Sequence, residues 1–203
     1  MQLSGILVLL MKNLMSKIRR EPVWMPAGPA VRRRIPAVLR PWLLETSSLT
    51  ERLQACCRKA FRVRLLQLGW QRPMYNERHL VGARDWEYAL VRHVHLMCGS
   101  HPWVFARTVI PLQTMRGAQR QLAHLGERPL GALLFADHTV RRGAVEIARI
   151  TPDHGLYHTA LGGDRSGQDA IWGRRSLFYF GVRPLLVSEI FLPAHRRQAC
   201  VEI

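Results

Sequence analysis

No apolar run in the 203-residue chain approaches the roughly 18–20 residues that a membrane-crossing helix needs; the longest, Gly5 to Met11, is far too short. That run has no positive region before it and no small-residue cleavage site after it, which argues against a secretory signal. The chain therefore reads as soluble and cytoplasmic. Cysteine is scarce: Cys56, Cys57, Cys98 and Cys200 show neither CxxC spacing nor the pattern of a disulfide framework. They are expected to be reduced thiols, in the core or half-exposed, as a cytosolic address implies. A phosphate-binding glycine loop, a nucleophile elbow, a His-Cys cluster at ligand spacing and an internal repeat are all missing, which removes the motif-based enzyme classes.

Acidic residues are the minority, 14 against 30 Lys and Arg, for a net charge of +16. Such a charge raises nucleic acid or an anionic membrane as partner. Its distribution weakens that inference. The first 40 residues hold eight basic side chains and one acid, Glu21, so +7 of the +16 sits there. The rest is spread along the chain without a basic helix or an aromatic stacking motif, and no specific nucleic-acid partner is expected.

What is present suffices for one domain of ordinary size, about 150–170 residues plus extra segments. Residues 1–38, with prolines at 22, 26, 29 and 36 and no sustained period, are expected to form a basic, flexible extension suited at most to weak contact with an anionic surface. Residues 39–203 then form the domain. A helix start is written in Ser48-Leu49-Thr50-Glu51, where Ser48 can cap and Glu51 can complete a capping box. The helix is predicted to run to Ala60. Its first N–H groups, that of Leu49 among them, have no intrahelical acceptor and favour an anion, although water and Ser48 satisfy most such starts.

A strand is predicted from Phe61 to Trp70, then a loop to Gly82, then strands over 88–97 and 103–110 joined by a turn at Gly99-Ser100-His101-Pro102. Arg92 alternates in step with Leu90, Val94 and Leu96, which places a permanent cation on an apolar face. Taken alone it reads first as a rim arginine with its head in water. Arg107 is a similar case. His93 and His95 share the opposite face; without a third ligand at recognisable spacing they read as half-buried histidines rather than a metal pair. A short helix over 116–125 ends at Gly126, a suitable C-cap. Pro129 opens another, making the Leu130 N–H a second unpaired donor at a helix start. Ala144 to Ile150 reads as a strand and 151–170 as a loop.

The stretch from Ile171 to His195 reads as a hairpin about Gly181-Val182-Arg183-Pro184. One acid, Glu189, lies in its second strand, sharing a face with Leu185, Val187 and Phe191. Its other neighbours are apolar too. A carboxylate so placed must be paired, hydrogen-bonded or protonated. Hairpin turns outnumber possible crossovers, so the expected fold is α+β: a single, mostly antiparallel sheet with helices packed on one face and helical flaps over a buried ligand site.

Taken in order, RPWLLETSSLTERL, YALVRHVHLMCGSHPWVFARTVIP, LGERPLGALLF, WGRRSLF and RPLLVSEIFLPA resemble the chorismate lyase (chorismate pyruvate-lyase) family of ubiquinone biosynthesis, over about residues 40–195. The resemblance implies that an aromatic acid is held by Arg92, by Glu189 and by the backbone N–H groups of Leu49 and Leu130. Methionine often stands in that family where this chain has Leu49, a change of little consequence for a backbone contact. It also implies chorismate as substrate, pyruvate and 4-hydroxybenzoate as products, no metal or organic cofactor, and a monomer. Arg92 and Glu189 are the expected catalytic pair, with Glu189 expected to hold its proton more tightly in an apolar setting. A small-acid sensor built on the same fold is the competing expectation. Its relatives carry a helix-turn-helix domain ahead of the fold, for which the first 40 residues are too short and proline-rich.

Overall fold

The computed structural model describes residues 20–57, 61–162 and 170–194. Residues 1–19 of the expected extension, Lys59 and Ala60 at the expected helix end, 163–169 of the expected loop, His195 and Cys200 lie outside the described residues.

In chain order the elements are β1 (Met25–Pro26), α1 (Pro29–Arg34), α2 (Arg40–Leu43), α3 (Leu49–Cys57), β2 (Phe61–Gln71), α4 (Tyr75–Val81), β3 (Ala89–Cys98) and β4 (His101–Pro111). There follow a 3-10 helix (Gly117–His124), α5 (Leu130–Ala136), β5 (Val140–Arg142), β6 (Glu146–Ile150), α6 (Gly155–Leu161), β7 (Ile171–Phe180) and β8 (Arg183–Phe191). The eight strands form one sheet in the order β1-β6-β7-β8-β4-β3-β2, with β5 also paired to β7. Every strand pair is antiparallel. The α+β expectation holds.

Two tight hairpins set the register. Cys98 faces His101 across Gly99-Ser100, and Phe180 faces Arg183 across Gly181-Val182. Gly99 and Gly181 take φ of 59° and 62°, the left-handed backbone that such two-residue turns require and glycine adopts without a Cβ clash. Because side chains alternate, register fixes which of them share a face. On one face lie Arg92, Val94, Leu96, Ala106, Thr108, Val187, Glu189 and Arg174. His93, His95, Phe105, Arg107, Ile190 and Arg175 lie on the other.

Helices, expected on one face, cover both. Over the first face, Leu49, Leu53 and Cys57 of α3 and Leu130 and Leu134 of α5 are buried. Over the second, Leu156, Tyr157, Ala160 and Leu161 of α6 pack on Phe105, Ile150 and Ile190, while Val81 of α4 packs on Val91, Val109 and Leu186. Both of these helices replace predicted loops. The start of α4 is capped from far away: the Glu21 carboxylate accepts the N–H groups of Tyr75 and Asn76 at 2.6 and 2.8 Å. A cap 54 residues distant is invisible in a local window.

The expected boundary at residue 38 also moves. Met25–Pro26 pairs with β6, and Val31, Ile35 and Leu39 join Trp42, Leu43, Leu49 and Leu53 in one core cluster. A Cβ built on Gly173 would stand 3.2 Å from the Trp24 ring, so a glycine in β7 leaves room for that indole. Residues from about 20 onward therefore belong to the folded domain, because their apolar side chains have a sheet face to cover. The cysteine expectation is likewise corrected: Cys57 at the end of α3 is disulfide-bonded to Cys98 at the end of β3, with Cα atoms 5.5 Å apart. The pairing is long-range and follows from α3 lying across β3, which spacing alone does not reveal. Among the described residues no helix is long and apolar enough to cross a membrane.

Candidate active site

The cavity lies between the first sheet face and the helices α3 and α5. Leu49, Thr50, Leu130, Gly131, Leu134 and Phe135 form its roof; Val94, Ala106, Thr108 and Val187 its floor; Arg92, Arg142, Arg174 and Glu189 its polar walls. About 50 Å³ is open to the centres of water-sized spheres, several times the roughly 10–15 Å³ that one water needs. The floor is low because Ala106 and Thr108 on the central strand β4 are small, whereas Leu96, Phe178 and Phe191 around them are large.

The register spaces the polar groups. Arg92 pairs with Thr108, Thr108 with Val187, and Val187 with Ser176; one row along, Val94 pairs with Ala106, Ala106 with Glu189, and Glu189 with Arg174. The strands carrying Arg92 and Glu189 thus flank β4, two interstrand spacings or about 10 Å apart, with Glu189 one row along from Arg92. All four residues singled out from the sequence, Arg92, Glu189, Leu49 and Leu130, line the same cavity.

Arg92 is only 2% exposed. Its Nη2 donates to the carbonyls of Gly126 at 2.8 Å and Arg128 at 2.9 Å, and its Nε reaches Gly126 at 3.3 Å. The rim-arginine alternative fails, since the head is inside. Burial pushes the guanidinium down to about 10 from its usual 12.5. Gly126 has φ 53°, and its carbonyl is turned toward the strand rather than continuing a helix. Leu49 and Leu130 are the first residues of α3 and α5 and are 2% and 7% exposed. Ser48 caps α3 as expected, its Oγ accepting the Glu51 N–H at 3.3 Å. Glu45 organises the turn before it, accepting the Ser47 N–H at 2.9 Å. That bond above all, with the Ser47 hydroxyl and Arg52, holds the Glu45 carboxyl at about 2.

Glu189 is not stranded among apolar neighbours. Arg174, its cross-strand partner, places Nε 2.6 Å from Glu189 Oε2. Arg174 is 1% exposed and donates through Nη1 to the carbonyls of Trp42 and Glu45 at 3.0 and 2.6 Å. Beside it Arg142 donates through Nη1 to Thr46 at 2.8 Å and through Nε to the Ser176 hydroxyl at 3.2 Å. Desolvation first, and then the Arg174 charge, lower the proton affinity of Arg142. Sequence reasoning missed both arginines. Arg174 could have been found by carrying alternation across the hairpin, since Gly181-Val182 as the two turn residues puts it opposite Glu189.

Arg107, His93 and His95 are not brought to this cavity. Arg107 grips buried Glu77 through two bonds of 2.7 and 2.8 Å and contacts His93 Nε2 at 2.5 Å. Burial, then the Arg107 charge, push His93 down to about 4, so it accepts that bond as a neutral ring. His95 Nε2 lies 3.2 Å from the Ala160 carbonyl. Both histidines serve the packing of the second face.

A cavity under two helices, with an apolar roof and floor and three guanidiniums and one carboxylate among its described lining residues, has the chemistry to hold a small organic acid. Residues 21–200 match the family model described as chorismate lyase. The chain is 44% identical over 153 residues to a protein named "Probable chorismate pyruvate-lyase" from Methylococcus capsulatus, covering 75% of this chain and 93% of that one. It is 37% identical over 177 residues to one of the same name from Coxiella burnetii, covering 87% and 95%. Among solved structures, the effector domain of PhnF from Mycobacterium smegmatis superposes with a TM-score of 0.52 at 14% identity, covering 74% of this chain and 91% of that one, a likeness of fold. The chain belongs to the chorismate lyase family and is an enzyme of the lyase class.

Proposed function

We propose that the protein eliminates pyruvate from chorismate and leaves 4-hydroxybenzoate, the first committed step of ubiquinone biosynthesis, in the cytoplasm and as a monomer. The observation that carries this reading is the placement of Arg92 and Glu189 on either side of the Ala106 floor in a covered cavity.

Chorismate is a cyclohexadiene with a ring carboxylate, a hydroxyl and an enolpyruvyl ether that ends in a second carboxylate. In the elimination, the bond from the ring to the ether oxygen breaks and the hydroxyl-bearing carbon loses its proton. The ring gains the double bond that makes it aromatic. The enol ether becomes a ketone, and its methylene takes a proton to become the methyl group of pyruvate. Aromatisation drives the step, so the reaction calls for neither metal nor organic cofactor. What the protein must supply is orientation, charge balance and exclusion of water.

The ring carboxylate sits at Arg92 and the N–H groups of Leu49 and Leu130. Glu189, already the carboxylate partner of Arg174, accepts a hydrogen bond from the ring hydroxyl through its other oxygen. That contact fixes the ring so that the departing proton faces the methylene, and proton transfer proceeds inside the substrate through a six-membered arrangement. The purified protein incubated with chorismate should form 4-hydroxybenzoate and pyruvate in equal amounts. Tight binding of 4-hydroxybenzoate without turnover would instead assign the protein as a sensor of small aromatic acids.

A further inference from the structure

Arg92 and the two helix starts account for one anionic group, yet two more guanidiniums line the same cavity at its far end. Each is held from one side only. Arg174 spends Nε on Glu189 and Nη1 on the carbonyls of Trp42 and Glu45. Arg142 spends Nε on Ser176 and Nη1 on Thr46, and its Cζ lies 5.5 Å from the centre of the Phe178 ring. Among the described residues, Nη2 of neither arginine has a hydrogen-bond partner. Among the described residues Glu189 is the one carboxylate lining the cavity, so three cations face one anion. A ring carboxylate still leaves one positive charge in excess, and uncompensated charge in a covered site is costly.

The geometry points to a second anion seat formed by Arg142 and Arg174, which takes the side-chain carboxylate of the three-carbon leaving group while Arg92 takes the ring carboxylate. This rests on the chorismate reading and divides the substrate along the sheet. Ser176, to which Arg142 is bonded, is three strands from Arg92 in the same row, about 14 Å between Cα positions. Arg142 starts from β5 opposite Phe178 and brings its guanidinium to Ser176, so a ring and its ether arm fit between it and Arg92. Glu189 stands one row over, beside the point where arm and ring join. Arg174 is then both a ligand of the leaving group and the positioning residue of Glu189, through the 2.6 Å contact.

The consequence is a split between substrate and product. 4-Hydroxybenzoate has the ring carboxylate and lacks the second one, so the far seat should matter for chorismate and not for product. The test compares 4-hydroxybenzoate with 3-(carboxymethoxy)-4-hydroxybenzoate, a stable aromatic that carries a second carboxylate on an ether arm, by calorimetry on the wild-type protein and on Arg142→Gln. In the wild type the two-carboxylate probe should bind at least tenfold more tightly than 4-hydroxybenzoate. Arg142→Gln should lose that increment and raise the KM for chorismate tenfold or more, while 4-hydroxybenzoate, which feels Arg142 only through the Thr46 contact ahead of Leu49, weakens by a clearly smaller factor. No gain from the second carboxylate in the wild type overturns the inference without reference to any variant. So does a variant that weakens both ligands by the same factor. Absence of turnover of chorismate by the wild-type protein would instead remove the reading on which the inference rests.

Discussion

Replacing Arg92 by lysine keeps the charge and removes the shape, which makes it the most informative single change. The wild-type guanidinium is held by three bonds, to Gly126 at 3.3 and 2.8 Å and to Arg128 at 2.9 Å, and can still present Nη1 to a carboxylate. A lysine ammonium is one point and cannot span carbonyls and ligand together. Losing two charge-assisted bonds at about 1.5–3 kcal/mol each, with one partly replaced, gives about 3 kcal/mol. That corresponds to a loss in kcat/KM on the order of 100-fold. Burial has already lowered the arginine to about 10 from 12.5, a change worth about 3 kcal/mol. The sign matters. The unfolded chain holds this proton to higher pH than the folded one, so the buried charge costs stability at neutral pH, and the cost fades only as pH rises past about 10. A carboxylate seated on the guanidinium cancels it. Lysine starts lower than arginine and is pushed the same way by desolvation, so Arg92→Lys should lose activity on the alkaline side before the wild type does. Initial rates of 4-hydroxybenzoate formation between about pH 6 and 9, with calorimetric affinity for the product, measure both effects. A variant within threefold of wild type, with an unchanged pH profile, would refute the carboxylate-clamp assignment.

Glu189→Gln should reduce turnover by less than about 100-fold and keep the shape of the kcat pH profile, because a positioning contact is weakened and no proton relay is removed; a loss near 10⁴-fold, with the pH dependence abolished, would give Glu189 the proton. Glu77→Gln should cost about 3–5 kcal/mol by leaving Arg107 buried without its charge partner, which for a chain of this size lowers Tm by roughly 10 °C. Its 4-hydroxybenzoate affinity at 25 °C should stay unchanged, since the pair lies on the opposite sheet face; a melting curve within 2 °C of wild type contradicts this. Breaking Cys57–Cys98, which are separated by 41 residues, should remove up to about 4 kcal/mol of chain-entropy stabilisation. Identical melting with and without reductant would return these two cysteines to the thiol state that their spacing suggests.

The strands and the first-face residues were legible in sequence because alternation is a local code: Arg92 in step with Leu90, Val94 and Leu96, and Glu189 in step with Val187 and Phe191, need only the period of two. The start of α3 was legible for the same reason, Ser48 and Glu51 being three residues apart. What escaped depended on distant partners. Helix α4 has its first N–H groups satisfied by Glu21, and the residues from Trp24 to Leu39 look structureless until a sheet face exists for them to cover. The charge partner of Glu189 was also missed, because the pairing of Arg174 with Glu189 emerges only when alternation is projected across the Gly181-Val182 turn. The family resemblance covered Arg92, Glu189, Leu49 and Leu130 and did not extend to the second pair of arginines.

The cations of this cavity do two jobs with the same atoms, and that ties ligand binding to closure. Leu49 and Leu130 begin the two roof helices. The segment before Leu130 is held by Arg92 through the carbonyls of Gly126 and Arg128. Carbonyls of the segment before Leu49 are held by Arg174, at Trp42 and Glu45, and by Arg142, at Thr46. Lifting either helix with its leading segment therefore strips a buried guanidinium of bonds worth about 1.5–3 kcal/mol each. It also moves the backbone N–H that would meet the ligand. At residue 131 the two roof helices approach so closely that a Cβ would stand 2.9 Å from the Thr50 hydroxyl, so one helix shifts only by disturbing the other. An anion between the arginines strengthens every one of these contacts by fixing the guanidinium planes. On the proposed function, binding and closing are expected to be one equilibrium, and a product that keeps the ring carboxylate would leave Arg92 engaged after the leaving group has gone. On the same reading, release of 4-hydroxybenzoate rather than the elimination is then expected to set turnover, which a burst of one equivalent in early product formation would show.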